Sequence, residues 1–144
     1  LKTLIGRSDI VDFPKLNLFG IDIKIDTGAY TSSFHCHDIV EVDGVLQCRF
    51  LDPEHKKYHE KIFHFQNYKI KSVKSSNGIV ENRFLIATEI LIFDKKYPIR
   101  LTITERGSMK YPVLLGRKFL SNKFVVDTSK VNLSHDNIQI KINE

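Results

Sequence analysis

The sequence predicts an all-β domain, a closed barrel or sandwich with one short helix in its C-terminal half, and three observations predict it. Apolar and polar side chains alternate over many short runs, turn residues separate those runs at close spacing, and a single segment reads as helix. Alternation with period two places successive side chains on opposite faces of a sheet, so each run offers one face to a core.

The elements follow in chain order. Ile21-Asp22-Ile23-Lys24-Ile25 alternates strictly and runs straight into Asp26. Further β-rich runs cover residues 45–51, 61–65, 68–73, 84–93 and 123–126. Ile99-Arg100-Leu101-Thr102-Ile103 and Ile138-Gln139-Ile140-Lys141-Ile142 alternate as cleanly as the first run, so both are expected to be strands. Turn signals between them are Asp43-Gly44, Asp52-Pro53, Asn77-Gly78 and Asp94-Lys95-Lys96. Asn77-Gly78 is the strongest, because a type I′ turn needs positive φ at both central residues. Residues 117–122, after Gly116, give the one helix, about one and a half turns at 3.6 residues per turn.

Length and composition narrow the class. With 144 residues, 42% hydrophobic and 27% charged, the expectation is one globular domain over residues 1–144. No apolar run approaches the roughly 20 residues that span a bilayer, so no membrane partner is expected. The start, Leu1-Lys2-Thr3-Leu4-Ile5-Gly6-Arg7, shows no long apolar stretch, and a cytoplasmic location is the expectation. Two cysteines, Cys36 and Cys48, are too few for a disulfide scaffold and read as buried free thiols. The net charge of +5 suits a polyanionic or acidic-peptide partner. No dense Lys/Arg block with interleaved aromatics occurs, so no nucleic acid is expected.

Chemistry centres on Asp26-Thr27-Gly28-Ala29. Asp-Thr-Gly alone is weak, since average residue usage yields it by chance in about 3% of chains this long. Its context is stronger. The aspartate ends an alternating strand, which presents its carboxylate at a sheet margin. Gly28 permits a tight turn and a close backbone approach. Thr27 carries a hydroxyl that donates and accepts at once. Downstream, Val113-Leu114-Leu115-Gly116-Arg117 places large apolar residues before a glycine and leads into the helix.

Together these elements resemble the retropepsins, the aspartic proteases of retroviral type. The likeness is closer to the bacterial retropepsin-like family labelled "ATP-dependent zinc protease". It is carried by Lys24-Ile25-Asp26-Thr27-Gly28-Ala29, Thr31-Ser32-Ser33, Ser76-Asn77-Gly78 with Glu81 and Arg83, then Arg106, Met109 and Leu114-Leu115-Gly116-Arg117. Tyr30 departs from the pattern, where many relatives carry a basic residue. The spacing from Asp26 to Gly116 is about 30 residues longer than in viral retropepsins. That leaves two candidate flaps, one through Asp52-Pro53-Glu54 and one turning at Asn77-Gly78.

The resemblance implies a closed retropepsin barrel, active as a homodimer, that cleaves peptide or protein substrates with no cofactor and no metal. Asp26, Thr27 and Gly28 would be catalytic; Ala29, Asn77, Gly78 and Arg83 would bind substrate. Two carboxylates about 3 Å apart cannot both ionise cheaply, so the pair shares one proton and titrates as a unit. The family further implies that some members trim glutamate tails added to a ribosomal protein by an ATP-grasp ligase. Arg83, Arg106 and Arg117 are then candidate carboxylate readers, through the bidentate reach of guanidinium. Arg83 competes with a pairing to Glu81 on the same strand face, and Arg117 fits better as a brace of the active-site loop.

Other readings remain open at this level. Asp26 can be an ordinary strand-end turn residue. Asp127-Thr128 echoes the motif, but Ser129 replaces the glycine, so Asp127 reads as a turn. His35, Cys36, His37, Cys48, His55, His59 and His64 can all ligate zinc. Yet His55-Lys56-Lys57-Tyr58-His59 has lysine where a zincin has its glutamate. No Gly-x-x-x-x-Gly-Lys-Ser/Thr loop for ATP occurs. A non-catalytic peptide-binding module of the same fold is the remaining alternative.

Overall fold

The alternating run before Asp26 forms the strand the sequence predicts, and its apolar half fills the core. The computed structural model describes residues 1–74, 77–105 and 110–144. Strand β1 spans Thr3–Ile5, β2 Ser8–Phe13, β3 Leu18–Ile25, β4 Ser32–Val42, β5 Val45–Phe50 and β6 Phe63–Phe65. Then come β7 Lys69–Lys74, β8 Val80–Ile92, β9 Lys95–Thr104, β10 Val113–Leu115, helix α1 Arg117–Leu120, β11 Phe124–Val126 and helix α2 Leu133–Ile142. Ser76, Arg106 and Met109 of the sequence signature lie outside the described residues.

The strands β10-β3-β2-β8-β9-β4 follow one another in hydrogen-bonded order, and β10 also pairs β4, which closes the ring into a mixed barrel. Closure removes the open edges that a flat sheet would expose. Leu18, Ile21, Ile23 and Ile25 of β3 all turn inward. Phe34 anchors the middle of the core, its ring centroid 5.0 Å from Phe13 and 4.9 Å from Phe50. Such tilted and edge-on contacts suit the aromatic quadrupole. Two side structures leave the ring. Strands β5 and β6 extend β4 outward, while β7 pairs the outer half of β8 to make a long hairpin. Separately, β1 and β11 form a parallel two-stranded ribbon.

Three expectations need correction. Ile138–Ile142 is the end of helix α2, not a strand, so the described residues hold two α-helices, besides a short 3-10 turn at Pro14–Leu16, where one helix was expected. The alternation there buries little, since Ile138 is only half-buried and Ile140 and Ile142 are 61% and 68% exposed. What decides the conformation is a distant carboxylate. Buried Asp9 accepts the N–H groups of Ser134 (2.9 Å) and His135 (3.1 Å), which satisfies the start of the helix from outside it. Ser134 Oγ in turn accepts the Phe93 N–H at 2.7 Å.

The turns differ too. At Asn77-Gly78 the glycine has positive φ, and the Asn77 side chain accepts the Ile79 N–H at 3.3 Å. Positive φ at both central residues occurs at Asp43-Gly44 and at Phe93-Asp94. The last of these displaces the expected Asp94-Lys95-Lys96 turn by one residue. Finally, residues 61–62 fall outside the expected strand, which is confined to β6.

Candidate active site

Strand β10 threads between β3 and β4, the two strands that flank the loop 26–31. It runs parallel to β3, with Leu115 beside Ile25, and antiparallel to β4, with Leu114 beside Ser33. The loop is therefore held from beneath at both ends. The Asp26 N–H donates to the Leu115 carbonyl at 2.9 Å. The Gly116 N–H donates to Ser32 Oγ at 3.0 Å, and the Arg117 and Lys118 N–H groups donate to the carbonyls of Ala29 (2.8 Å) and Tyr30 (2.9 Å).

This arrangement explains the glycine after the apolar pair. A Cβ on Gly116 would lie 2.7 Å from the Tyr30 carbonyl oxygen and 2.9 Å from that of Ala29. No side chain fits where two backbones pass so closely. Arg117 adds a brace from above, Nη1 donating to the Thr27 carbonyl at 2.9 Å while its guanidinium rests 5.8 Å from the Tyr30 ring centroid. The bracing role suggested by sequence is thus the one its side chain performs.

Asp26 itself is half-buried, and its Oδ1 accepts the Gly28 N–H at 3.1 Å. It opens into a cleft of about 720 Å³. The loop supplies Gly28, Ala29 and Tyr30 to this cleft, β7 supplies Lys71, Val73 and Lys74, and β8 supplies Arg83. Of the two candidate flaps, the β7–β8 hairpin is therefore the one that overhangs Asp26. The segment carrying Asp52-Pro53-Glu54 folds into local turns between β5 and β6, with the Glu54 N–H on the Asp52 carboxylate at 2.9 Å.

The structure brings together Asp26, Gly28, Ala29 and Arg83 among the residues singled out from sequence. Thr27 is exposed beside them, whereas Asn77 and Gly78 sit at the hairpin's exposed tip and do not line the cleft of this single chain. Lys71 and Lys74 were missed. They stand on a strand whose alternation gives no sign that this face covers a carboxylate.

Arg83 is the most informative cation. Its side chain is only 9% exposed, and its Nε donates to a Glu81 carboxylate oxygen, the same-face pairing foreseen from sequence. That contact leaves its Nη2 buried without a hydrogen-bond partner. An orphaned buried guanidinium nitrogen is costly. The lining as a whole is cationic: Lys71, Lys74, Arg83 and Arg117 face the single carboxylate of Asp26.

The other candidate residues are engaged elsewhere. Asp127 closes a turn on itself, its Oδ1 accepting both the backbone N–H and the hydroxyl of Ser129. His37 lies with Nδ1 2.9 Å from the Leu51 carbonyl and Nε2 3.2 Å from the Tyr58 hydroxyl. His59 Nε2 is 3.2 Å from the Leu16 carbonyl, and His55 Nδ1 accepts the Lys57 N–H. Among the described residues no three ligating side chains converge as a metal ion would require. Cys36 and Cys48 are free and buried.

Comparison with known proteins adds a family. Residues 4–137 match the family model described as RimB-like, retropepsin-like aspartic endopeptidase RimB. A probable alpha-L-glutamate ligase of Shewanella halifaxensis is 35% identical over 133 residues, covering 90% of this chain and 29% of that protein. A protein of the same name from Parasynechococcus marenigrum is 29% identical over 131 residues, covering 88% of this chain and 28% of that protein. The chain thus spans less than a third of the length of these relatives. A crystal structure of a protein with unknown function from Legionella pneumophila superposes with a TM-score of 0.69 at 25% identity, covering 93% of this chain and 99% of that one.

Proposed function

The chain belongs to the RimB-like family of retropepsin-like aspartic endopeptidases, and we propose that Asp26 is half of a carboxylate dyad, completed by a second copy of the chain, that cleaves acidic peptides. The observation that carries this reading is that Asp26 and Arg83 line one cleft, with the Arg83 Nη2 lacking a hydrogen-bond partner. The names of the relatives suggest glutamate as the acidic residue. A peptide rich in glutamate is complementary to a lining with four cations.

A second copy is required by the chemistry. One carboxylate cannot both take a proton from water and donate one to the scissile carbonyl. Two Asp26 side chains across a two-fold axis share a single proton. The ionised one removes a proton from the bound water, whose oxygen adds to the carbonyl carbon as the protonated one donates to the carbonyl oxygen. Collapse of the tetrahedral intermediate breaks the C–N bond and passes a proton to the leaving amine. Surfaces suited to a second copy surround the loop. Thr27 is exposed, and Ile79 and Val80 at the hairpin tip are 62% and 61% exposed. The β1–β11 ribbon presents Leu4 and Val125, and its chain continues to Arg7, whose carbonyl accepts the Ile25 N–H next to Asp26.

The test is a kinetic comparison on an oligoglutamate peptide and a matched glutamine peptide. Asp26→Asn should abolish hydrolysis without unfolding the chain, and in excess it should poison active chains through mixed dimers. Arg83→Ala should reduce cleavage of the glutamate peptide by at least about tenfold, the loss expected for one charged hydrogen bond, and spare the glutamine peptide. Arg83→Lys should not restore it, since ammonium lacks the fork. Full activity in Asp26→Asn removes the dyad; equal losses on both peptides remove the acidic substrate.

A further inference from the structure

The outer half of the β7–β8 hairpin stands off the barrel. Among the described residues, β8 pairs β9 only from Phe84 onward, so residues 80–83 have β7 as their one strand partner. Strand β7 in turn pairs with β8 alone. No printed bond within the described residues ties residues 71–74 or 80–83 to the barrel: Ser72 bonds Asn82 and Arg83 bonds Glu81, both inside the hairpin.

One aromatic ring makes the link. Tyr30, on the loop after Asp26, is exposed and lines the cleft, and it is the position where the sequence departs from the retropepsin-like pattern. Lys71 Nζ of β7 lies over its ring, 5.4 Å from the centroid, and the Arg117 guanidinium of α1 lies 5.8 Å from the same centroid. Both distances fall within the roughly 6 Å over which a ring face attracts a cation.

We propose that Tyr30 is a positioning residue: its ring, held by Lys71 on one side of the cleft and by Arg117 on the other, keeps the hairpin down over the Asp26 loop before substrate arrives. The proposal rests on Asp26 being the catalytic carboxylate and on the hairpin covering it, and it is independent of the charge of the substrate.

The base of this latch is fixed. The Tyr30 carbonyl accepts the Lys118 N–H at 2.9 Å, and a Cβ on Gly116 would lie 2.7 Å from that oxygen, so the backbone of Tyr30 is seated against the start of α1. Arg117 is tied to the same loop, its Nη1 donating to the Thr27 carbonyl at 2.9 Å. The other end is a lysine, whose flexible stem can follow the hairpin as it moves. Lys71 forms no ion pair among the described residues and stands directly across from Arg83 on the ladder. The negative face of the ring therefore gives it an attraction that its own strand partner does not.

The strength of the contact suits a cover that must also open. An exposed cation–π contact shifts an open–closed equilibrium by about two- to fivefold, enough to favour closure and weak enough to admit a peptide. Loss of the latch lowers the fraction of chains ready to bind, which raises KM by up to that factor. The value of kcat should stay, because in the complex the bound peptide itself holds the hairpin.

Nuclear magnetic resonance and kinetics together test the latch. In the free wild-type chain the ring should shift the Lys71 ε-methylene protons upfield; Tyr30→Phe should keep that shift and Tyr30→Leu should remove it. On the oligoglutamate peptide and the matched glutamine peptide alike, Tyr30→Leu should raise KM by up to about fivefold with kcat unchanged, and Tyr30→Phe should restore the wild-type KM. On the glutamine peptide, Lys71→Met should raise KM likewise, and the Tyr30→Leu, Lys71→Met double variant should add nothing further. Lys71 signals that stay in place in Tyr30→Leu would overturn the latch. So would a KM rise confined to the glutamate peptide, or losses that add in the double variant, since Tyr30 would then act on the substrate directly. Full cleavage by Asp26→Asn chains would remove the dyad without touching the latch, whose ring shift is read in chains with no substrate.

Discussion

Gly116→Ala should damage the site without touching a reacting atom. The new methyl carbon would sit 2.7 Å from the Tyr30 oxygen, 2.8 Å from its carbonyl carbon and 2.9 Å from the Ala29 oxygen. All three are backbone atoms, so no flexible side chain can swing away. Both oxygens also accept hydrogen bonds, from Arg117 N–H at 2.8 Å and Lys118 N–H at 2.9 Å. Relief requires the loop to lift off the start of α1, which weakens both bonds. Two backbone hydrogen bonds contribute about 1 kcal/mol each, and forcing a methyl into packed backbone costs about 1–3 kcal/mol. The expected loss is therefore about 3–5 kcal/mol, or roughly 9–15 °C in melting temperature for a chain this long. The same displacement carries Asp26, and misplacement by about 1 Å can cost on the order of a hundredfold in rate. Thermal unfolding followed by circular dichroism and a peptide-cleavage assay measure the two effects. A variant that melts within a degree or two of wild type and cleaves at full rate would refute the close-approach argument.

Two further predictions concern stability. Asp9→Ala removes the acceptor of the Ile10, Ser134 and His135 N–H groups, so it should cost about 2–4 kcal/mol and release α2, read as faster hydrogen exchange across residues 133–142; unchanged exchange there would show that α2 is held by other contacts. The pH dependence has opposite signs at two buried groups. Burial lowers the His35 pKa below its ordinary 6.5, so the stability it confers is complete above 6.5 and falls as pH drops towards its folded value. Burial raises the Asp9 pKa above its ordinary 3.8, so that carboxylate gives more stability as pH falls from its folded value towards 3.8. Denaturation midpoints should therefore decline below pH 6.5 in wild type and decline less in His35→Gln; equal slopes in the two proteins would remove His35 as the cause.

Much of the barrel was legible because burial and alternation coincide. Runs such as Ile21–Ile25 and Ile99–Ile103 put one face in the core, and their pattern records that fact directly. Alternation failed at Ile138–Ile142 because little there is buried to enforce it. The deciding group, Asp9, lies more than 120 residues away in sequence, and a sequence pattern cannot show which distant carboxylate will meet a helix start. At Asn77-Gly78 the glycine takes the positive φ that the turn expectation requires.

The site was legible to the extent that its constraints are local. Asp26-Thr27-Gly28 announces a tight carboxylate loop, and Leu114-Leu115-Gly116 announces a strand ending where only glycine fits. What the sequence could not reveal is which surface lies opposite. Arg83 was distinguishable only as a cation near a turn, with Glu81 as an obvious competitor. The fold resolves the competition, because Glu81 can occupy one edge of the guanidinium and leave Nη2 facing no partner. Lys71 joins it through register, being the residue directly across from Arg83 on the neighbouring strand. Two cations placed side by side over the Asp26 loop repel each other, and the Glu81 carboxylate on Arg83 offsets that repulsion from one side. The acidic substrate proposed above would bring a further anion to that roof.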